Sequence, residues 1–206
     1  MKSLNLKNRR KTMSEFMPEG YEEPKSKSGF GTYFKLNDEN INEEIARVRI
    51  MGSFKNPESA IMGWEAWTAE NKPVRFDMSD GSYDEAEEVD RDGSPKHFWA
   101  IQIYNHSTDE VQIWGITQRT IQRAIRKFSE NPKYGSPSNY DIEVTRTGHG
   151  LKTEYNLIAE PPEPPSAEIV AKMEEAKIDV RAMLADEGRG LNPFGALAGD
   201  ADGMPF

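Results

Sequence analysis

Residues 95–157 constrain the fold more than any other stretch. Residues 97–104 (HFWAIQIY) are dense in aromatic and β-branched side chains, which pack well on a pleated surface. Residues 105–109 (NHSTD) carry turn chemistry, and residues 111–116 resume as a second strand. Thr117 can cap a helix that places Ile121, Ala124, Ile125 and Phe128 on one face, at i, i+3, i+4 and i+7. Pro132, Gly135 and Pro137 end that helix. Tyr140, Ile142 and Val144 then alternate with polar residues, residues 147–150 (TGHG) turn, and residues 154–157 return. Two strands, a helix and a hairpin predict a small, mainly β barrel.

Upstream, residues 30–36 (FGTYFKL) and 45–52 (IARVRIMG) begin that barrel. Ala46, Val48 and Ile50 face its core and Arg47 and Arg49 the opposite side, by the period of two. Residues 61–68 (IMGWEAWT) and 73–76 (PVRF) read as extended around a turn at 70–72. Residues 77–94 read as an acidic loop poor in large aliphatic residues. Asp77, Asp80, Asp84 and Glu85 could ligate a cation there, but the glycine and terminal glutamate of an EF-hand loop are missing. The loop could also lie across a ligand site as an electrostatic gate.

The order strand, strand, helix, hairpin matches the back half of an oligonucleotide/oligosaccharide-binding (OB) barrel, five strands with one helix between strands 3 and 4. KHFWAIQIYN, VQIWGITQRTIQRAI and YDIEVTRTGHGLKTEYNL resemble the bacteriophage single-stranded DNA-binding proteins of that type, over about residues 30–161. The resemblance implies an OB domain at 30–159. Before it lies a flexible basic arm at 1–29, with Lys7, Arg9, Arg10 and Lys11 close together. That arm is similar to the basic N-terminal arm of T-even-type helix-destabilising proteins, which mediates cooperative binding. After the domain comes an acidic tail at 160–206. It begins with a stiff proline linker (EPPEPP) and continues with a possible helix at 166–187 bearing Ile169, Met173, Ala176, Val180 and Leu184. Its tip, GDADGMPF, resembles the acidic tip of bacterial single-stranded DNA-binding proteins, which implies partner binding through Asp200, Asp202, Pro205 and Phe206.

The formal net charge of −9, taken alone, opposes nucleic acid. Its distribution does not. Residues 1–29 and 96–159 are net +3 and +2, while residues 30–95 and 160–206 are −8 and −6. Contacts respond to local potential, because charges are screened beyond about 8–10 Å. The absence of cysteine excludes disulfides and thiolate metal sites, and three histidines argue against a His-rich centre. No apolar run approaches the ~20 residues of a membrane span, and the N-terminus lacks the apolar core of a secretory signal. The expectation is a protein of the host cytoplasm without cofactor, metal or membrane partner.

Single-strand binding needs cations that follow phosphates and rings that stack on bases. All four tryptophans, Trp64, Trp67, Trp99 and Trp114, precede or lie within the central stretch. Alternation puts Phe98 and Tyr104 on one face and Trp99, Ile101 and Ile103 on the more apolar one. Phe98 and Tyr104 are therefore expected to stack on bases and Trp99 to enter the core. Trp64 and Trp67, three apart, point to opposite faces, and Trp114 is left open. Tyr155 and the cations Lys72, Arg75, Lys96, Arg146 and Lys152 complete the expected site, with Arg146 and Lys152 flanking the TGHG turn. Arg119, Arg123 and Arg126 lie opposite the helix's apolar stripe, a solvated face.

The resulting expectation is a non-enzymatic protein that coats single-stranded DNA during phage replication, recombination or repair, recruits replication and recombination proteins through its tip, and self-associates on DNA. Two alternatives stand beside it. One is an OB protein-interaction module whose acidic loop meets a basic protein. The other is a carboxylate–metal nuclease using Asp77, Asp80, Asp84 and His97.

Overall fold

The computed structural model describes residues 32–36, 43–186, 189–190 and 193–194. The arm at 1–29 and the tip at 200–206 lie outside the described residues.

Eight strands form one sheet: β1 (Thr32–Tyr33), β2 (Glu43–Ile50), β3 (Ala60–Trp67), β4 (Pro73–Asp77), β5 (Lys96–Asn105), β6 (Glu110–Ile116), β7 (Asp141–Thr147) and β8 (Glu154–Ala159). Three helices accompany them: α1 (Ser82–Val89), α2 (Arg119–Glu130) and α3 (Ala167–Ala176). The main path runs β1-β6-β5-β2-β7-β8, with β3 on β5 and β4 on β3. Every pairing is antiparallel except the short parallel β1–β6 ladder. The fold is mainly β, as the alternation predicts. It differs from a closed five-stranded barrel: no ladder joins β6 to β8 among the described residues, so the sheet is open.

The extra strands arise because β5 is ten residues long and has two partners on one side. β2 ends against it at Ile50↔Ile103, and β3 begins at Ala60↔Ile101. Gln102 is the joint. Its carbonyl accepts the Met51 and Gly52 N–H groups at 3.0 and 2.9 Å, and its N–H donates to Ser59 at 2.9 Å. Residues 52–58 are thus an excursion whose ends meet. A Cβ on Gly52 would stand 2.2 Å from the Ser59 carbonyl, so only glycine closes the loop.

Two apolar clusters lie on opposite faces of the sheet. The inner one joins Val48, Ile50, Ile101, Ile103, Ile116, Ile142 and Val144 to Ile121 and Ile125 of α2. These two helix residues occupy the face expected from the spacing, and Arg119, Arg123 and Arg126 are exposed. The outer cluster is covered by the C-terminal segment. Ile169 of α3, Ile178, and Val180 and Met183 of a 3-10 turn (Val180–Met183) bury Phe98, Ala100 and Tyr104. The expected helix at 166–187 is therefore shorter, ending at Ala176, where Lys177 turns left-handed with φ 46°. Residues 166–184 form a strap on the sheet, each buried large apolar side chain contributing about 1.5–3 kcal/mol. The acidic stretch 77–94 likewise is no continuous loop, because residues 82–89 form α1.

An ionic hub ties the strands to the proline linker. Asp141, fully buried, accepts hydrogen bonds from Arg49 Nε and from Arg47 Nε at 2.7 Å. Arg49 Nη1 donates to the Glu163 carbonyl at 2.8 Å, pinning the linker. His106 Nε2 stands 3.1 Å from Asp141 Oδ1 but makes no well-formed hydrogen bond. Burial pushes the Asp141 carboxyl up, yet the hydrogen bond from Arg49, the nearby His106 charge and Arg47 hold it below its ordinary pKa.

Candidate nucleic-acid interface

On the inner face of the sheet, reaching out from the edge of the core, the register lines up rings. Trp64 lies opposite Phe76 on β4 and opposite His97 on β5. The row continues both ways. Phe54, on the 52–58 excursion, is 5.2 Å from Trp99; Trp99 is 6.3 Å from His97; His97 is 5.5 Å from Trp64; and Trp64 is 4.9 Å from Tyr83 on α1, all centroid distances. The rings meet edge to face at 62–85°, a geometry their quadrupoles favour.

The row is open to solvent at both ends. Phe54 is 40% and Tyr83 39% exposed, Trp64 and His97 are half-buried, and Trp99 is 9% exposed. Trp99 Nε1–H is buried without an acceptor, a donor that a ligand atom could satisfy. Gln122 of α2 sets the row's middle: its Nε2 donates to the carbonyls of Ile116 and His97 at 2.9 and 3.1 Å. Its Oε1 stands 3.4 Å from His97 Nδ1, an acceptor that favours a proton there. The same turn of α2 exposes Arg119 and Arg123. Gly63 lets β4 pair closely with β3, since a Cβ there would sit 1.8 Å from the Phe76 carbonyl.

The residues expected to form the site fall in three places. Trp64 joins the row. Trp67, on the opposite face of β3 as its spacing requires, is half-buried and donates from Nε1 to Glu65 Oε1 at 3.3 Å. On that outer face Arg75 pairs with Glu65 at 2.9 Å and lies 5.8 Å over the Phe98 ring, while Lys96 stands opposite Glu65 in register. Lys96 and Lys72, the latter in the β3–β4 turn, are exposed.

Phe98 and Tyr104, expected to stack on bases, are 1% and 6% exposed beneath the strap. Tyr104 donates its hydroxyl to Asp109, whose carboxylate also takes Lys172 of α3 at 2.5 Å. Alternation separated the two faces of β5 correctly, but the outer face is covered and the inner one emerges past the core.

At the far side of the sheet order, Arg146 is buried and paired with Glu44 at 3.2 Å. Lys152 is exposed in the β7–β8 turn. Half-buried Tyr155 helps line a shallow cleft of about 620 Å³ with Gln118, Thr120, Thr153 and Glu154. Trp114 is buried against Phe34 at 5.3 Å.

Phe54 and Tyr83 are not among the residues expected from the sequence, and His97 is expected only as part of the nuclease alternative. The register of β3 on β5 brings His97 to Trp64, while the 52–58 excursion and α1 bring in Phe54 and Tyr83, and no local pattern encodes these approaches. Among the described residues no group of three or more His, Asp and Glu side chains is arranged to hold a metal ion, and no helix is long and apolar enough to cross a membrane.

No protein-family model matches this chain, and no curated protein matches it significantly.

Proposed function

We propose that this chain is a non-enzymatic, OB-type protein that binds single-stranded DNA without strong sequence preference. The observation that carries the reading is the partly exposed row Phe54–Trp99–His97–Trp64–Tyr83. Rings of this kind stack on any base, at about 1–3 kcal/mol each. The five strands β6-β5-β2-β7-β8, with α2 between β6 and β7, support the OB-type reading by their order. So does the resemblance of residues 95–157 to phage proteins of this class. Arg119, Arg123, Lys55 and Lys72 supply exposed cations for phosphates. In this reading the chain serves phage DNA replication, recombination or repair in the host cytoplasm. Its tip, Asp200, Asp202, Pro205 and Phe206, recruits replication or recombination proteins, and the basic arm at 1–29 supports self-association on DNA.

Titrating the protein with oligo(dT) and following tryptophan fluorescence tests the reading. The expected result is strong quenching with single strands, weaker with duplex, and an intact strand at the end. Absence of quenching together with capture of a basic protein would favour the interaction-module alternative. Strand cleavage would favour the nuclease.

A further inference from the structure

Resting on that reading, we infer that helix α1 is an electrostatic gate on the aromatic row, a built-in polyanion that phosphates must approach in order to stack their bases. The helix is fastened to the row by a ring: Tyr83, in its first turn, packs 4.9 Å from Trp64 at 85°. At the other end, Asp90 Oδ2 accepts the Trp67 N–H at 2.7 Å, and the Arg91 N–H donates to the Trp67 carbonyl at 2.9 Å. The inward face is small, with Ala86 and Ser82 buried.

All the charge on α1 has one sign. Asp84, Glu85, Glu87 and Glu88 are exposed, and none of their side chains has a hydrogen-bond or ion-pair partner among the described residues. Glu87 lies four residues from Tyr83, so it shares the flank that faces the row. Asp84 and Glu85 sit in the first turn, where the helix dipole favours anions, but the other two acids work against the helix. Glu87 and Glu88 stand in the last turn, where the helix dipole disfavours anions, and no basic side chain offsets them. Asp84 and Glu88 repel each other at i, i+4. Two last-turn acids that weaken their own helix, one of them on the flank of the ring row, fit an element that raises the threshold for polyanion entry.

The test compares oligo(dT) affinity of the wild-type chain with Glu87→Gln/Glu88→Gln, at low and high salt. Neutralising last-turn acids relieves the helix, so this variant folds. A third protein, Glu174→Gln/Glu175→Gln, removes the same charge from exposed positions on α3. Two charges some 8–10 Å from phosphates in a high dielectric amount to about a fivefold change, lost near 1 M salt where the screening length is about 3 Å. The gate predicts about fivefold tighter binding for the α1 variant at low salt, convergence at high salt, and little change for the α3 variant. Unchanged affinity of the α1 variant, or equal tightening in both, would overturn the gate and leave the single-strand reading standing. No binding by any of the three, wild type included, would instead remove that reading and the gate with it.

Discussion

Trp64 and His97 face each other across the β3–β5 ladder, their ring centroids 5.5 Å apart at 62°. They form the middle of a ring row that only the pairing of two distant strands assembles. Trp64→Ala removes its largest half-exposed ring and should weaken oligo(dT) binding by about 1–3 kcal/mol with little loss of stability. Phe98→Ala, beneath the strap, should do the reverse: destabilise the fold by about 3–5 kcal/mol. Paired binding titrations and denaturant melts separate the two effects.

The strap makes a second prediction. Ending the chain at Pro165 strips Ile169, Ile178, Val180 and Met183 from Phe98, Ala100 and Tyr104. It also takes the Ile178 carbonyl from Gln102 Nε2, which donates to it at 2.7 Å. Thermal stability should fall and dye binding to exposed apolar surface should rise. Phe206→Ala, at the tip, should leave stability and DNA affinity unchanged and abolish pull-down of replication proteins.

Acid should unfold the protein through Asp141. Its folded pKa is depressed, since the pull of Arg49, His106 and Arg47 outweighs burial. The stabilisation is therefore present above the unfolded value of about 3.9 and is lost as pH falls through the lower folded one. Asp141→Asn leaves Arg49 buried without its counter-charge and should cost about 3–5 kcal/mol at neutral pH. It should also flatten the acid limb of a stability–pH curve.

Tyr140 offers a stabilising change. Its hydroxyl is fully buried without a hydrogen-bond partner, and burial, with a smaller effect of Tyr134, pushes its pKa up to about 12. Tyr140→Phe removes an unsatisfied polar group worth about 1–3 kcal/mol and should raise the melting temperature.

Much of the fold was legible because period and punctuation are local. The alternation of β5 and β7, and the i, i+3, i+4, i+7 stripe of α2, are written within single elements. The site was less legible because it depends on register. Trp99 enters the core as its face predicts, but His97 on the same face stands outside it, where β3 meets the start of β5. Phe98 and Tyr104 looked exposed because nothing local announces that Ile178 and Val180, some 75 residues later, cover them. Arg146 looked like a phosphate ligand because its partner Glu44 is 102 residues away.

Photocrosslinking oligo(dU) substituted with 5-iodouridine, followed by peptide mass spectrometry, tests the central claim most directly. The ring row predicts adducts on Trp64, His97, Tyr83 or Phe54, depleted in Trp64→Ala. Adducts confined to the β7–β8 hairpin around Lys152 and Tyr155, with none in residues 52–99, would contradict it.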